Sequence, residues 1–289
     1  MMTEKQVYAI VDLALEEDLD RGDITSEILV PPEIGGRASI LIKDNGIFVG
    51  GEIAGVVFQH VDPSLQLDLL VKDGTRVKPG DITGRVSGKV ISILKAERVA
   101  LNFMQRLSGI ASLTAQYVDA IRGMKAGIYD TRKTTPGLRS LEKYAVRMGG
   151  GHNHRFSLGD AVLIKDNHIA ISRARGLTLS DVVKKAKSES PKGIVIEVEV
   201  NSLEDALEAA KAGANIIMFD NMSPDLMRRG VGILPAGIKT EASGNIDLGN
   251  VRAAALSGVD IISIGALTHS AKRLDISLEL DTDFFQITT

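Results

Sequence analysis

Three carboxylates, Glu199, Asp220 and Glu241, follow one another at intervals of 21 residues. Each stands in the last part of an apolar, β-rich string: GIVIEVEV, ANIIMFD and IKTEASG. A unit of about 21 residues holds one strand, one helix of two to three turns and two tight loops. The strings GIYD, AVLIKD and VDIISIG extend the series, so six strands alternate with Ala-rich helical segments after residue 125. That is serial βα construction, which builds a parallel sheet and, repeated, a barrel. Six strands are fewer than eight, so an incomplete or open α/β barrel stands beside a full one as the expected fold.

The first third reads differently. Val7, Ile10, Val11, Leu13, Ala14 and Leu15 recur at helical spacing over residues 3–19, after which RGD and PP open a loop. From 36 to 94, short apolar runs such as RASILIK, DNGIFVG, LQLDLLVKDGTRV and GRVSGKVISIL predict strands with tight turns. Residues 95–122 then carry Ala96, Val99, Ala100, Phe103, Met104, Leu107 and Ile110 on one face, a long helix expected to bridge two domains. The expected division is an N-terminal domain over 1–105, rejoined by 272–289, and a barrel over 106–271.

Composition narrows the function classes. With 44% hydrophobic and 25% charged residues in 289, the chain has globular composition and can bury a sizeable core. A formal charge of −3 argues against a protein that coats nucleic acid or membrane, so any basic site must be local. With no cysteine, a disulfide framework, a thiolate zinc site and a cysteine nucleophile are all excluded. The acidic start lacks the features of a targeting peptide and no stretch approaches a membrane span, so the cytoplasm is the expected location.

In α/β barrels the chemistry gathers where strands end. Here those ends are polar in series: Asp130, Thr131, Arg132 and Lys133; Lys165, Asp166 and Asn167; Glu197 and Glu199; Asp220 and Asn221; Glu241, Ser243 and Gly244; Ser263 and Gly265. Arg132 suits bidentate grip of a carboxylate and Lys133 suits a phosphate. Thr134, Thr135 and Pro136 are expected to cap and start a helix. Gly149, Gly150 and Gly151 turn the chain into His152, Asn153, His154 and Arg155. Histidines beside a guanidinium make a poor home for a dication, so the expectation is a cationic pocket of Arg132, Lys133, His154, Arg155 and Lys165 for a polyanionic ligand. Two glycine signals, SGN at 243–245 and IGAL at 264–267, fit phosphate binding through backbone N–H groups. Glu199 and Asp220 could hold ribose hydroxyls or Mg²⁺, or only support the fold.

Taken in order, EEDLDRGDIT, ERVALNFMQRLSGIAS, DTRKTTPGLRSLEKYAVRMGGGHNHR, LGDAVLIKDNH, IEVEV, IIMFDNMSP, EASGNI and GVDIISIGALTHS run from residue 16 to 270. These strings resemble the quinolinate phosphoribosyltransferase family, the decarboxylating nicotinate-nucleotide pyrophosphorylases of NAD biosynthesis. The resemblance implies an open α/β barrel with an N-terminal α/β sandwich domain. It also implies a homodimer with active sites shared between subunits, or a hexamer built as a trimer of dimers. The implied activity is pentosyl transfer from phosphoribosyl pyrophosphate to quinolinate with loss of carbon dioxide, using Mg²⁺ and no organic cofactor. By motif, Arg98, Thr131, Arg132, Lys133, His154, Arg155 and Lys165 resemble the quinolinate set, with Arg98 delivered from the neighbouring subunit. Lys133, Glu199, Asp220, Ser243, Gly244, Asn245, Ile264, Gly265 and Ala266 resemble the phosphoribosyl pyrophosphate set. Lys165, Glu199 and Asp220 are the implied catalytic residues, and Glu199 and Asp220 the implied Mg²⁺ contacts, direct or through water. Departures are few. Asn245 stands where the family often has Gly, at a turn where Asn tolerates positive φ, and Ser112 and Phe219 replace the commoner Thr and Leu.

Three other readings remain at this level. They are a paralogue on the same scaffold, as in proteins associated with molybdenum transport, an aldolase in which Lys165 forms a Schiff base, and a phosphate-ligand sensor without turnover.

Overall fold

The structure is a computed structural model and describes residues 4–287. Two compact units emerge: one comprises residues up to Ala115, Thr135–Gly150 and Ser270 onward, and the other comprises Gln116–Thr134 and Gly151–His269.

The chain opens with helices α1 (Glu4–Leu19) and α2 (Ile24–Leu29), then β1 (Ile34–Ile42), β2 (Gly46–Phe48) and α3 (Gly51–Val61). Strands β3 (Gln66–Leu69), β4 (Thr75–Val77) and β5 (Ile82–Lys89) lead into α4 (Val90–Ala120), which contributes to both units. Next come β6 (Gly127–Tyr129), α5 (Arg139–Met148), β7 (Ala161–Ile164), α6 (Asp166–Ala174) and α7 (Leu179–Glu189). The βα series continues as β8 (Val195–Val200), α8 (Leu203–Ala212), β9 (Ile216–Asp220), α9 (Pro224–Ile233), β10 (Lys239–Ser243), α10 (Val251–Leu256), β11 (Ile261–Ser263) and α11 (Ala266–His269). Strand β12 (Ile276–Leu280), a 3₁₀ turn and β13 (Gln286–Ile287) complete the described chain.

In the first unit an antiparallel sheet runs β12-β1-β5-β3, and β13 also pairs with β1. The C-terminal strand enters in the register Ala38↔Leu280 to Ile42↔Ile276. Ala38, Ile40 and Ile42 alternate into the core at full burial, as a half-buried strand requires. Three details depart from the sequence reading. The stretch taken as a loop after α1 contains α2, because Asp23 caps it by accepting from Ser26 N at 3.0 Å. The strand-rich stretch contains α3, whose first amides, Gly50 N and Gly51 N, donate to the distant Asp73 carboxylate at 2.9 and 3.1 Å. Within GRVSGKVISIL the strand ends at Lys89 and α4 begins at Val90.

The second unit is built on a six-stranded parallel sheet in the order β6-β11-β10-β9-β8-β7. β6 and β7 are its edges, so the barrel is not closed by strand pairing, and the open form holds. Alternation sorts the strands into two faces. Ile196, Val198 and Val200, Ile217 and Phe219, Ala242, Ile262 and Ile128 form a buried apolar face. Helices α7 and α8 pack against β8, α8 also against β9, and α10 against β11. The registers Glu199↔Met218, Met218↔Glu241 and Asp220↔Ser243 place the opposite residues on one shared face. That inner face carries Glu197, Glu199, Asp220, Glu241 and Ser243. Glu241 lies at the centre of β10 rather than near its end.

Candidate active site

The strand ends of the second unit assemble most of the residues singled out in the sequence. Asp220 and Ser243 are neighbours in register at the exits of β9 and β10. Beyond them, Asn221, Gly244 and Asn245 all adopt left-handed backbone, with φ of 53°, 91° and 50°. Asn245 therefore fills its turn without glycine. Gly244 cannot be replaced so easily, since a Cβ there would run into the Asn221 side chain and stand 2.9 Å from its backbone nitrogen. Asn221 Nδ2 donates to Asp220 Oδ2 at 2.8 Å and so orients that carboxylate.

Glu199 and Asp220 are both half-buried on adjacent strands. Burial, then the Asp220 charge, pushes the Glu199 carboxyl up, while Lys165 pulls it back. Two repelling carboxylates near one lysine are a good match for a hard divalent cation that keeps some of its water. Lys165 is exposed immediately after β7, and its backbone nitrogen donates to His168 Nδ1 at 3.0 Å.

Across the sheet, β6 ends in Tyr129 and the chain continues through Asp130 to Lys133. Residues 131–138 form a turn and α5 begins only at Arg139, so Thr134, Thr135 and Pro136 do not start the helix as the sequence reading expects. The turn is held instead by Thr268 Oγ1, which donates to Lys133 O at 2.7 Å. The Lys133 stem lies over the loop after β11, where a Cβ on Gly265 would meet it at 3.0 Å. Ile264 N donates to Tyr129 O at 2.9 Å, which brings the 264–266 loop beside the β6 exit. Arg132 has a buried Nε with no hydrogen-bond partner among the described residues. Burial, with the Arg132 charge next, pulls the Arg155 guanidinium below its ordinary value. Two guanidiniums close enough to repel, one with an unmatched N–H, can receive a carboxylate.

His154 occupies a different environment from the one expected. Its ring is not simply a member of a cationic cluster: Nε2 lies 3.2 Å from Glu197 Oε2 and 3.3 Å from Glu241 Oε2. Both carboxylates are buried, on β8 and β10. Burial alone would lower this imidazole, but hydrogen bonds and charge from Glu197 and Glu241 carry it up to about 10. Burial also raises the Glu241 carboxyl. His154, Glu197 and Glu241 have donor atoms within 4.8 Å of one another, but the imidazole already engages both acids as an ion pair. Neither glutamate was given a role from the sequence. The available signal was polarity at alternate positions of the apolar string VIEVEV, which marks an inner face that is not filled by aliphatic side chains.

Arg98 belongs to the other unit. It lies on α4 with an exposed side chain, 3.8 Å from Glu97 Oε1.

The sequence matches two family models. Residues 110–279 match the quinolinate phosphoribosyl transferase C-terminal domain and residues 23–108 match the N-terminal domain. The chain is 45% identical over 279 residues to a probable nicotinate-nucleotide pyrophosphorylase [carboxylating] of Bacillus subtilis, covering 96% of this chain and 95% of that protein. It is 41% identical to quinolinate phosphoribosyltransferase [decarboxylating] 1 of Nicotiana glauca, covering 95% of this chain and 82% of the relative. Among solved structures, NadC from Streptococcus pyogenes superposes with a TM-score of 0.91 at 41% identity, covering 97% of this chain and 98% of that one. Two matched domains in sequence, a shared fold and a polar barrel mouth thus converge on one assignment: the chain belongs to the quinolinate phosphoribosyltransferase family.

Proposed function

We propose that this chain transfers the phosphoribosyl group of phosphoribosyl pyrophosphate to the ring nitrogen of quinolinate and releases the adjacent carboxylate as carbon dioxide. The products are nicotinate mononucleotide and pyrophosphate. The carrying observation is the division of the barrel mouth into a cationic side, where the Arg132 charge opposes that of Arg155 and Arg132 Nε is unmatched, and an acidic side formed by Glu199 and Asp220. A dianionic acid suits the first side and a ribose with its metal-bound pyrophosphate suits the second.

In this reading Thr131, Arg132, Lys133, His154, Arg155 and Lys165 receive quinolinate, joined by Arg98 from a second subunit of a homodimer. Lys133 also reaches toward pyrophosphate. The loops Ser243–Gly244–Asn245 and Ile264–Gly265–Ala266 offer backbone N–H groups to phosphate. No side-chain nucleophile is needed, because an oxocarbenium-like ribosyl centre is served by positioning and by the Glu199 and Asp220 carboxylates. Mg²⁺, held by those two carboxylates directly or through water, would neutralise the departing pyrophosphate. Lys165 is assigned to hold the carboxylate beside the ring nitrogen until that nitrogen becomes a pyridinium. The exposure of Lys165 disfavours a Schiff-base role, which relies on a desolvated amine.

The test is selectivity between quinolinate and nicotinate at equal phosphoribosyl pyrophosphate and Mg²⁺. A preference of at least about 100-fold in kcat/KM is expected, because one carboxylate leaves part of the cationic set unpaired. Comparable values would refute a pocket for two carboxylates.

A further inference from the structure

The barrel's edge strands, β6 and β7, are joined by chain rather than by hydrogen-bonded pairing. After α5 the chain pairs briefly with β6, where His152 bridges Tyr129, and then runs to β7 at Ala161. A surface connection of this length is mobile unless tethered. Here it is tethered at three places. Fully buried Asp130 accepts from His154 N at 2.8 Å and from Asn153 Nδ2 at 2.5 Å. Near the other end, Arg155 Nη1 donates to Ala161 O at 2.9 Å. Between them the His154 ring reaches the inner face, to Glu197 on β8 and Glu241 on β10, two strands separated by β9.

One carboxylate would balance one imidazolium. The second adds charge in a buried place, where it costs stability unless partnered; Glu241 lies 3.3 Å from His154 Nε2 and also engages Ser263, while Glu197 also attracts the Arg155 charge. An ion pair with one imidazolium by itself requires only one of the two glutamates. Two acids converging on the same Nε2 from different strands do what one cannot, which is to fix the ring's direction.

We propose that Glu197 and Glu241 are positioning residues which, through the His154 ring, hold residues 152–160 across the open side of the barrel and so set where His154 and Arg155 stand toward the acid substrate. The claim about substrate rests on the function proposed above; the claim about tethering does not.

The variants are Glu197→Gln, Glu241→Gln and the double substitution, each preserving volume while removing buried charge. Amide hydrogen exchange over residues 151–160, thermal stability and the KM for each substrate are measured. With one carboxylate left the ring keeps a partner but loses its fixed direction, so each single change should raise quinolinate KM about threefold. In the double variant, exchange over 151–160 should quicken at least about tenfold while the other barrel segments hold. Quinolinate KM should then rise at least about tenfold, with phosphoribosyl pyrophosphate KM within about twofold. Unchanged exchange in the double variant overturns the tether. A loosened segment with unchanged quinolinate KM overturns the positioning role, as does a parallel rise in both KM values with general loss of stability. If wild-type protein does not turn over quinolinate, the proposed function fails, while the exchange data still decide the tether.

Discussion

Asn245 Nδ2 donates to Asn221 Oδ1 at 2.9 Å across the exits of β10 and β9. Asn221 in turn holds Asp220, so the loop at 243–245 and the Asp220 carboxylate form one connected unit. Gly244 lies at its centre with left-handed φ and no room for a side chain. Gly244→Ala is expected to cost about 1–3 kcal/mol of stability. It should also raise the KM for phosphoribosyl pyrophosphate more than that for quinolinate. Chemical denaturation and initial-rate kinetics check both.

Asp220→Ala should lower kcat/KM by at least about 100-fold, the scale of losing one preorganised electrostatic group. The fold should persist, because Asp220 is only half-buried and removing it relieves repulsion with Glu199. Circular dichroism and a melting curve, read beside the kinetics, separate the two effects. Near-normal turnover at saturating Mg²⁺ would remove Asp220 from the site.

The His154 imidazole is raised to about 10 against an unfolded value near 6.5. A raised cationic group contributes stability that is complete below the unfolded pKa and is lost as pH rises through the folded one. The stability advantage of wild type over His154→Gln should therefore shrink between about pH 7 and pH 10. Paired melting curves across that window give the sign directly, and an advantage that grows toward alkaline pH would contradict it.

The sequence makes the barrel half of the molecule readable because its signals are local and repeated. Equal spacing of Glu199, Asp220 and Glu241 corresponds to adjacent strands β8, β9 and β10. Polar strand ends correspond to a polar mouth. Long-range capping is harder to read: α3 takes its cap from Asp73, 22 residues beyond Gly51, and its own glycines weaken the helical signal. Likewise, nothing near His154 in sequence announces carboxylates on β8 and β10. Arg132 and Arg155 carry their charge openly, but only the fold shows that the one charge acts on the other.

The shared active site proposed above makes Arg98 and Lys165 separable by subunit. When inactive Arg98→Ala and inactive Lys165→Ala chains are mixed and allowed to exchange, a random dimer population should recover about a quarter of the sites. The readout is specific activity against the mixing ratio. No recovery, with exchange demonstrated by labelled subunits, would place Arg98 and Lys165 in the same chain's site.

The most direct measurement uses quinolinate labelled in the carboxylate beside the ring nitrogen, incubated with phosphoribosyl pyrophosphate and Mg²⁺. Labelled carbon dioxide and nicotinate mononucleotide should appear together in a one-to-one ratio, with pyrophosphate released in the same amount. Pyrophosphate release with the label retained in the nucleotide, or no turnover of quinolinate by folded protein, would contradict the decarboxylating transfer proposed for this chain.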